Sequence, residues 1–132
     1  MTKNPLVAQL DDNAALVSKA MVQNRLQQIP VVHDGKLEGL ITAYDLWQRS
    51  INHHDESELK VRDVMTTNVL VIAPKDKVGT AAELFVDSRF KTLPVVNLRN
   101  ELKGIITTFD VIRHVMQREY PQPILYKEVL EA

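Results

Sequence analysis

The sequence predicts an α+β fold of two tandem β-α-β-β-α repeats whose sheets pack together, and three observations predict it. Residues 1–49 align with residues 65–114, at an offset of 64 through His33 and Asn97 and of 65 from Gly39 and Gly104 onward. Self-similarity of this kind marks a duplicated structural unit, and two copies are too few for a solenoid. Each copy alternates an apolar stripe of helical period with β-branched runs too short for a helix. The chain has 132 residues, 45% apolar and 25% charged, an ordinary globular mix. Half of that length is too small to bury an adequate core alone, so the copies are expected to share one.

The elements follow in order. A short extended segment opens each copy, Leu6-Val7-Ala8 or Val69-Leu70-Val71-Ile72. Asp12 and Asp76 come next as candidate helix caps. Val78, Ala81, Ala82, Phe85 and Val86 recur at i, i+3, i+4, i+7 and i+8, and Ala14, Val17, Ser18, Met21 and Val22 take the same places in the first copy. A strand follows, Ile29-Pro30-Val31-Val32 or Leu93-Pro94-Val95-Val96, with proline at a tolerated first or edge position. The polar stretches His33–Lys36 and Leu98–Glu101 are turns. A second strand covers Leu37–Ile41 or Leu102–Ile106, and a last helix begins near Thr42 or Thr107. The boundaries that result are 1–50 for the first repeat, 51–63 for a polar linker, 64–117 for the second repeat and 118–132 for a tail. The tail contains Pro121, Pro123 and Ile124-Leu125-Tyr126 and has no counterpart in the first copy; it is either a frayed end or a segment that docks on the body or on another subunit.

Composition excludes several classes of function. Sixteen Lys and Arg against seventeen Asp and Glu give a net charge of −1, with no basic field to draw in a nucleic acid. No apolar run is long enough to span a bilayer, and the N-terminus leads into no signal core. Without cysteine there is no disulfide, thiol catalysis or Cys-ligated zinc. A soluble cytoplasmic protein is the expectation. His53-His54-Asp55-Glu56 offers ligand-type side chains, but adjacent residues in a polar linker read as solvated, and His33 and His114 read as surface residues. No metal site and no catalytic residue is expected, since no nucleophile is paired with a base and no glycine-rich phosphate loop occurs.

Thr42-Ala-Tyr-Asp45 and Thr107-Thr-Phe-Asp110 both place a hydroxyl and a carboxylate at a strand-to-helix junction. Read locally, this is a capping box, with the aspartate favoured by the helix dipole. The same geometry aims free N–H groups at a phosphate or sugar. Capping and binding do not exclude each other. Arg25 and Arg89 recur at the end of the first helix, where they favourably face its negative pole.

The layout resembles a tandem CBS-domain pair, the regulatory unit named after cystathionine β-synthase. The residues that carry the resemblance are Ile-Pro-Val-Val (29–32) and Leu-Pro-Val-Val (93–96), Gly-Leu-Ile-Thr-Ala-Tyr-Asp (39–45) and Gly-Ile-Ile-Thr-Thr-Phe-Asp (104–110), and the lead-in Val61-Arg62-Asp63-Val64-Met65-Thr66. The first copy begins at the equivalent of Met65 and so departs from the pattern by lacking a lead-in. The resemblance implies pseudo-twofold packing of the repeats, clefts between them that bind adenosine-containing ligands (AMP, ADP, ATP, a dinucleotide or S-adenosylmethionine), and homodimerisation of pairs. By the same analogy one cleft holds Thr107, Phe109 and Asp110 with Asn4, Leu6, Leu26 and Gln27. The other holds Thr42, Tyr44 and Asp45 with Asn68, Leu70, Phe90 and Lys91. The aspartates would take the ribose hydroxyls and the threonines ribose or phosphate. Leu6, Leu26, Leu70 and Phe90 also read simply as core. Lys91, opposed by neutral Gln27 in the first copy, would make the clefts unequal and favour more phosphate in its own.

Trp47, Val111, Ile112, Val115 and Met116 put apolar surface on more than one side of the last helices, which implies a second partner. The function expected is a non-enzymatic regulatory module signalling to a protein effector through a shift in conformation or dimer packing, with an adenine nucleotide as ligand rather than as a catalytic cofactor. The alternatives are a structural dimerisation module with empty clefts, the regulatory fragment of a larger enzyme or transporter, and, least supported, an enzyme.

Overall fold

In the computed structural model, residues 1–52, 59–88 and 90–119 are described. The elements are β1 (Ala8–Gln9), α1 (Ala14–Gln23), β2 (Gln28–His33), β3 (Lys36–Thr42), α2 (Ala43–Asn52), α3 (Val61–Val64), α4 (Val78–Asp87), β4 (Thr92–Val96), β5 (Leu102–Thr107) and α5 (Thr108–Glu119). The first half is thus β-α-β-β-α, as the repeat predicts. Its sheet runs β1-β2-β3, with β1 parallel to β2 and β2 antiparallel to β3. The second half has β4 antiparallel to β5, and the counterpart of β1 shrinks to one parallel bridge, Ile72 to Val95. That bridge is Ala8 to Val31 moved on by 64 residues.

The two halves complete each other. Thr2 bridges Ile105 on β5, and its counterpart Thr66 bridges Leu40 on β3. Each sheet is therefore edged by the opening segment of the other repeat. Gly39 and Gly104 make that approach feasible: a Cβ on either would lie 2.6 Å from the carbonyl oxygen of Thr66 or Thr2. At the hairpin tips Lys36 bridges Glu101, its own repeat counterpart. The Leu37 N–H donates to Asn100 O and the Leu102 N–H to Gly35 O, both at 3.0 Å. Those equal and exchanged bonds mark the pseudo-twofold axis.

The core explains why the central strands read as unbroken apolar runs. Ile29 and Val31 pack under α1 with Ala14, Val17 and Met21. Pro30 and Val32 face the other way, by the two-residue period of a strand, and are buried too. All five residues of β4 are buried. Both faces of these strands are covered, one by helices and one by the opposite half, whose β4 approaches β2.

Two local expectations are corrected. Asp12 and Asp76 do not cap helices. Asn13 caps α1, its Oδ1 accepting the Leu16 N–H at 3.1 Å, and α4 begins after Lys77 with no side-chain cap. Each aspartate instead accepts an N–H three residues back, from Gln9 and Ala73, both at 2.8 Å. A carboxylate one place before the cap lies closer to the preceding turn than to the helix amides. Arg25 lies beyond the C-cap Asn24, at φ 55°, rather than in the last helical turn, and Arg89 falls outside the described residues. Val61, within the stretch predicted as linker, and Val64, the first residue assigned to the second repeat, both enter the core of the first half, while His53-His54-Asp55-Glu56 lies outside the described residues.

Candidate functional site

The helices α2 and α5 each start where an inner strand, β3 or β5, ends, so each N-terminus opens at the edge shared by the halves. At α2, Thr42 is buried and its Oγ1 accepts the Asp45 N–H at 3.0 Å. The Asp45 carboxylate does not return to the Thr42 amide. Its Oδ2 accepts the hydroxyl of Thr66, 2.9 Å away, from the opening segment of the second half. The other carboxylate oxygen has no partner among the described residues. At α5 the capping box is closed: Thr107 Oγ1 accepts the Asp110 N–H at 3.2 Å, and Asp110 Oδ2 accepts the Thr107 N–H at 3.0 Å. Arg113, one turn on, stands 3.9 Å from the remaining oxygen, Oδ1.

Few amides at these helix starts remain free. The Ala43 N–H donates to Gln27 O at 2.8 Å, and the Thr108 N–H to Lys91 O at 3.1 Å. The amides of Tyr44 and Phe109 keep no partner among the described residues. The Lys91 N–H donates to Gln28 Oε1 at 2.8 Å, which ties the approach to β4 onto the start of β2. Gln27 and Lys91 thus meet, through their carbonyls, the last helix of their own repeat.

Of the other candidates, Phe90 is buried and Leu26 packs half-buried against the first core, as structural residues would. Leu6 is exposed at the rim of a hollow of about 260 Å³ that it shares with Ala20 and Ile29 of its own half. Asn4, Asn68 and Leu70 are exposed. Tyr44 and Phe109 project outward, 60% and 70% exposed, and Tyr44 pairs with Trp47 at a ring separation of 6.1 Å. Two site residues escaped the sequence reading, Thr66 and Gln28. Thr66 had a signal, since it is one of the identical pairs of the repeat, with Thr2. Gln28 had none, because its role depends on the meeting of β2 and β4. Among the described residues no group of His, Asp and Glu is placed to hold a metal ion, and no helix is long and apolar enough to cross a membrane.

A family model described as the CBS domain matches residues 1–46 and 61–117. The structure is similar to the CBS-pair protein CBSX2 from Arabidopsis thaliana, at a TM-score of 0.81 and 26% identity over 90% of this chain and 92% of that one. A structure of CBSX2 in complex with AMP matches at 0.79 and 27%, over 90% and 94%. In sequence the chain is similar to inosine-5'-monophosphate dehydrogenase of Methanocaldococcus jannaschii, 31% identical over 91% of this chain and 23% of that protein. It is also similar to MJ1225 of the same organism, 29% identical over 86% of this chain but 45% of the relative. The chain therefore spans under half the length of these two curated relatives.

Proposed function

The chain belongs to the CBS domain family as a tandem pair, and on that footing we propose that it is a regulatory module whose ligand is an adenine nucleotide held where the two repeats meet. The observation that carries the reading is the Thr66–Asp45 bond. It brings an acid at the mouth of one repeat's last helix against the opening segment of the other repeat. A molecule seated there touches both halves, so binding biases their relative position. The free oxygen of Asp45, and Asp110 Oδ1 beside Arg113, are acceptors for vicinal ribose hydroxyls, and the protons of Thr42 and Thr107 are available to ribose or phosphate. The AMP-bound relative supports the ligand class. The module performs no chemistry on the nucleotide, and its output passes to a partner protein or a fused domain.

Thermal unfolding across AMP, ADP, ATP and S-adenosylmethionine tests the proposal. A ligand at a hundred times its Kd adds about 2.7 kcal/mol of stability, a rise of several degrees in Tm for a domain of this size. Asp45→Ala and Asp110→Ala, made separately, then identify the cleft: the variant that loses the shift holds the ligand. If neither does, the site assignment is wrong.

A second reading has its own support. Each aspartate already has one oxygen engaged within the chain, and most of the helix-start amides are satisfied without ligand. A pair that only associates would look the same, with Trp47, Ile112 and Met116 on the last helices as its contact surface. A flat response to the whole panel, together with dimeric mass in sedimentation, favours that reading.

A further inference from the structure

The 65-residue offset that relates the last helices continues beyond them. Leu59-Lys60-Val61-Arg62-Asp63-Val64-Met65 stands without a gap against Ile124-Leu125-Tyr126-Lys127-Glu128-Val129-Leu130. Apolar, basic and acidic positions coincide throughout, Lys60 and Leu125 excepted.

In the first half the role of this segment is visible. It follows α2 and returns over the groove between α1 and α2. Val61 is fully buried and Val64 nearly so, both within the first core. The Ala14 N–H donates to Leu59 O and the Val61 N–H to Asp12 O, both at 2.9 Å. Arg49 donates to Asp63 O at 2.8 Å. With Leu59 and Val64 in place, a hollow of about 330 Å³ remains.

The groove between α4 and α5 is its counterpart. Val78, Gly79, Ala82, Val111 and His114 line it, the equivalents of Ala14, Ala15, Ser18, Leu46 and Arg49. Among the described residues nothing stands in for Leu59 and Val64, and the hollow is about 700 Å³. The consequence shows in the first helix of each half: α1 buries Ala14, Val17 and Met21, whereas α4 buries only Ala81, and Val78 and Phe85, the equivalents of Ala14 and Met21, are half-buried.

We propose that residues 124–129 are the intramolecular cover of this groove, with Tyr126 and Val129 in the places of Val61 and Val64. Chain length allows it. Residues 120–123 lead from Glu119, at the rim of the groove, to Ile124, and the positions match those of 53–58 between α2 and Leu59 once the two extra residues of α5 are counted. His114, which lines the groove, stands at the repeat position of Arg49, whose guanidinium donates to Asp63 O. The ion pair at the rim is not repeated: Asp11, 2.7 Å from Arg62, is replaced by Lys75. Docking therefore rests on apolar burial, and tyrosine in place of valine suits the larger hollow. The cover ends at Val129, because Met1 and Thr2 face Gly104 just as Met65 and Thr66 face Gly39, and so occupy the next positions.

The chain has no cysteine, so an engineered pair reports cleanly. The full chain carrying Ala82→Cys with Val129→Cys is oxidised at low concentration beside a reference carrying Ser18→Cys with Val64→Cys. The expected result is an intramolecular disulfide at a rate comparable to the reference. Cross-links solely between copies, or none while the reference closes, overturn the proposal. Independently, Val129→Asp in the cysteine-free chain lowers Tm by several degrees and Glu131→Ala does not; an unchanged Tm for Val129→Asp also overturns it. Neither measurement depends on nucleotide binding.

Discussion

Asp45 and Asp110 are the same residue in the repeat, yet their carboxylates do different things. Asp110 closes its own helix cap, whereas Asp45 reaches across to Thr66. The first arrangement is legible from Thr-x-x-Asp; the second is not, because Thr66 is 21 residues away and arrives only through the edge bridge to Leu40. Thr66→Val removes the hydroxyl and leaves the part-buried carboxylate short of a donor. We expect a loss of about 1 kcal/mol in urea unfolding, read as a lower midpoint at unchanged m-value. Gly39→Ala is expected to cost more, about 1–3 kcal/mol. Its new methyl would lie 2.6 Å from a backbone carbonyl that is itself bonded into the sheet. Gly104→Ala should behave alike against Thr2. Equal stability of either alanine variant and the parent would show that the edge segments yield easily.

The elements themselves were largely readable. The stripe of Ala14, Val17 and Met21 and the Pro-Val-Val strands are local patterns and form as the sequence predicts, whereas Val22 and Val86, the last members of the two predicted stripes, face solvent. At α1 the cap lies one residue beyond the predicted Asp12, because Asp12 and Asn13 are both good cap residues and only the turn geometry chooses between them; α4 has no side-chain cap. Asn13→Ala is expected to destabilise by about 1 kcal/mol through the lost bond to the Leu16 amide. Asp12→Ala, which affects only an exposed turn, should cost less. Reversal of that order in chemical denaturation would mean that Asp12, and not Asn13, holds the start of α1. The short helix α3 was hidden in a polar stretch: Val61 and Val64 sit among Lys60, Arg62 and Asp63, and too few residues show a period there.

At the scale of the whole molecule, neither half owns a complete sheet. Thr2 and Thr66 exchange edges, and the hairpin tips bond across the pseudo-twofold axis. Unfolding is therefore expected as one cooperative transition. Trp47, the only tryptophan, lies in the first half, so its fluorescence follows that half while far-UV circular dichroism follows both. Coincident urea curves are expected; a displaced fluorescence midpoint would mean that the halves melt separately.

The sequence by itself determined the duplication, the helices and strands that the two copies share, and the acids that open the last helices. These rest on periodicity and on contacts a few residues apart, which neighbouring residues decide. Only the tertiary structure decided which segment edges which sheet, which carboxylate keeps to its own cap, and which groove Leu59 and Val64 cover. Those outcomes depend on backbone approach between residues far apart in the chain, and a pattern of residue types carries no distance.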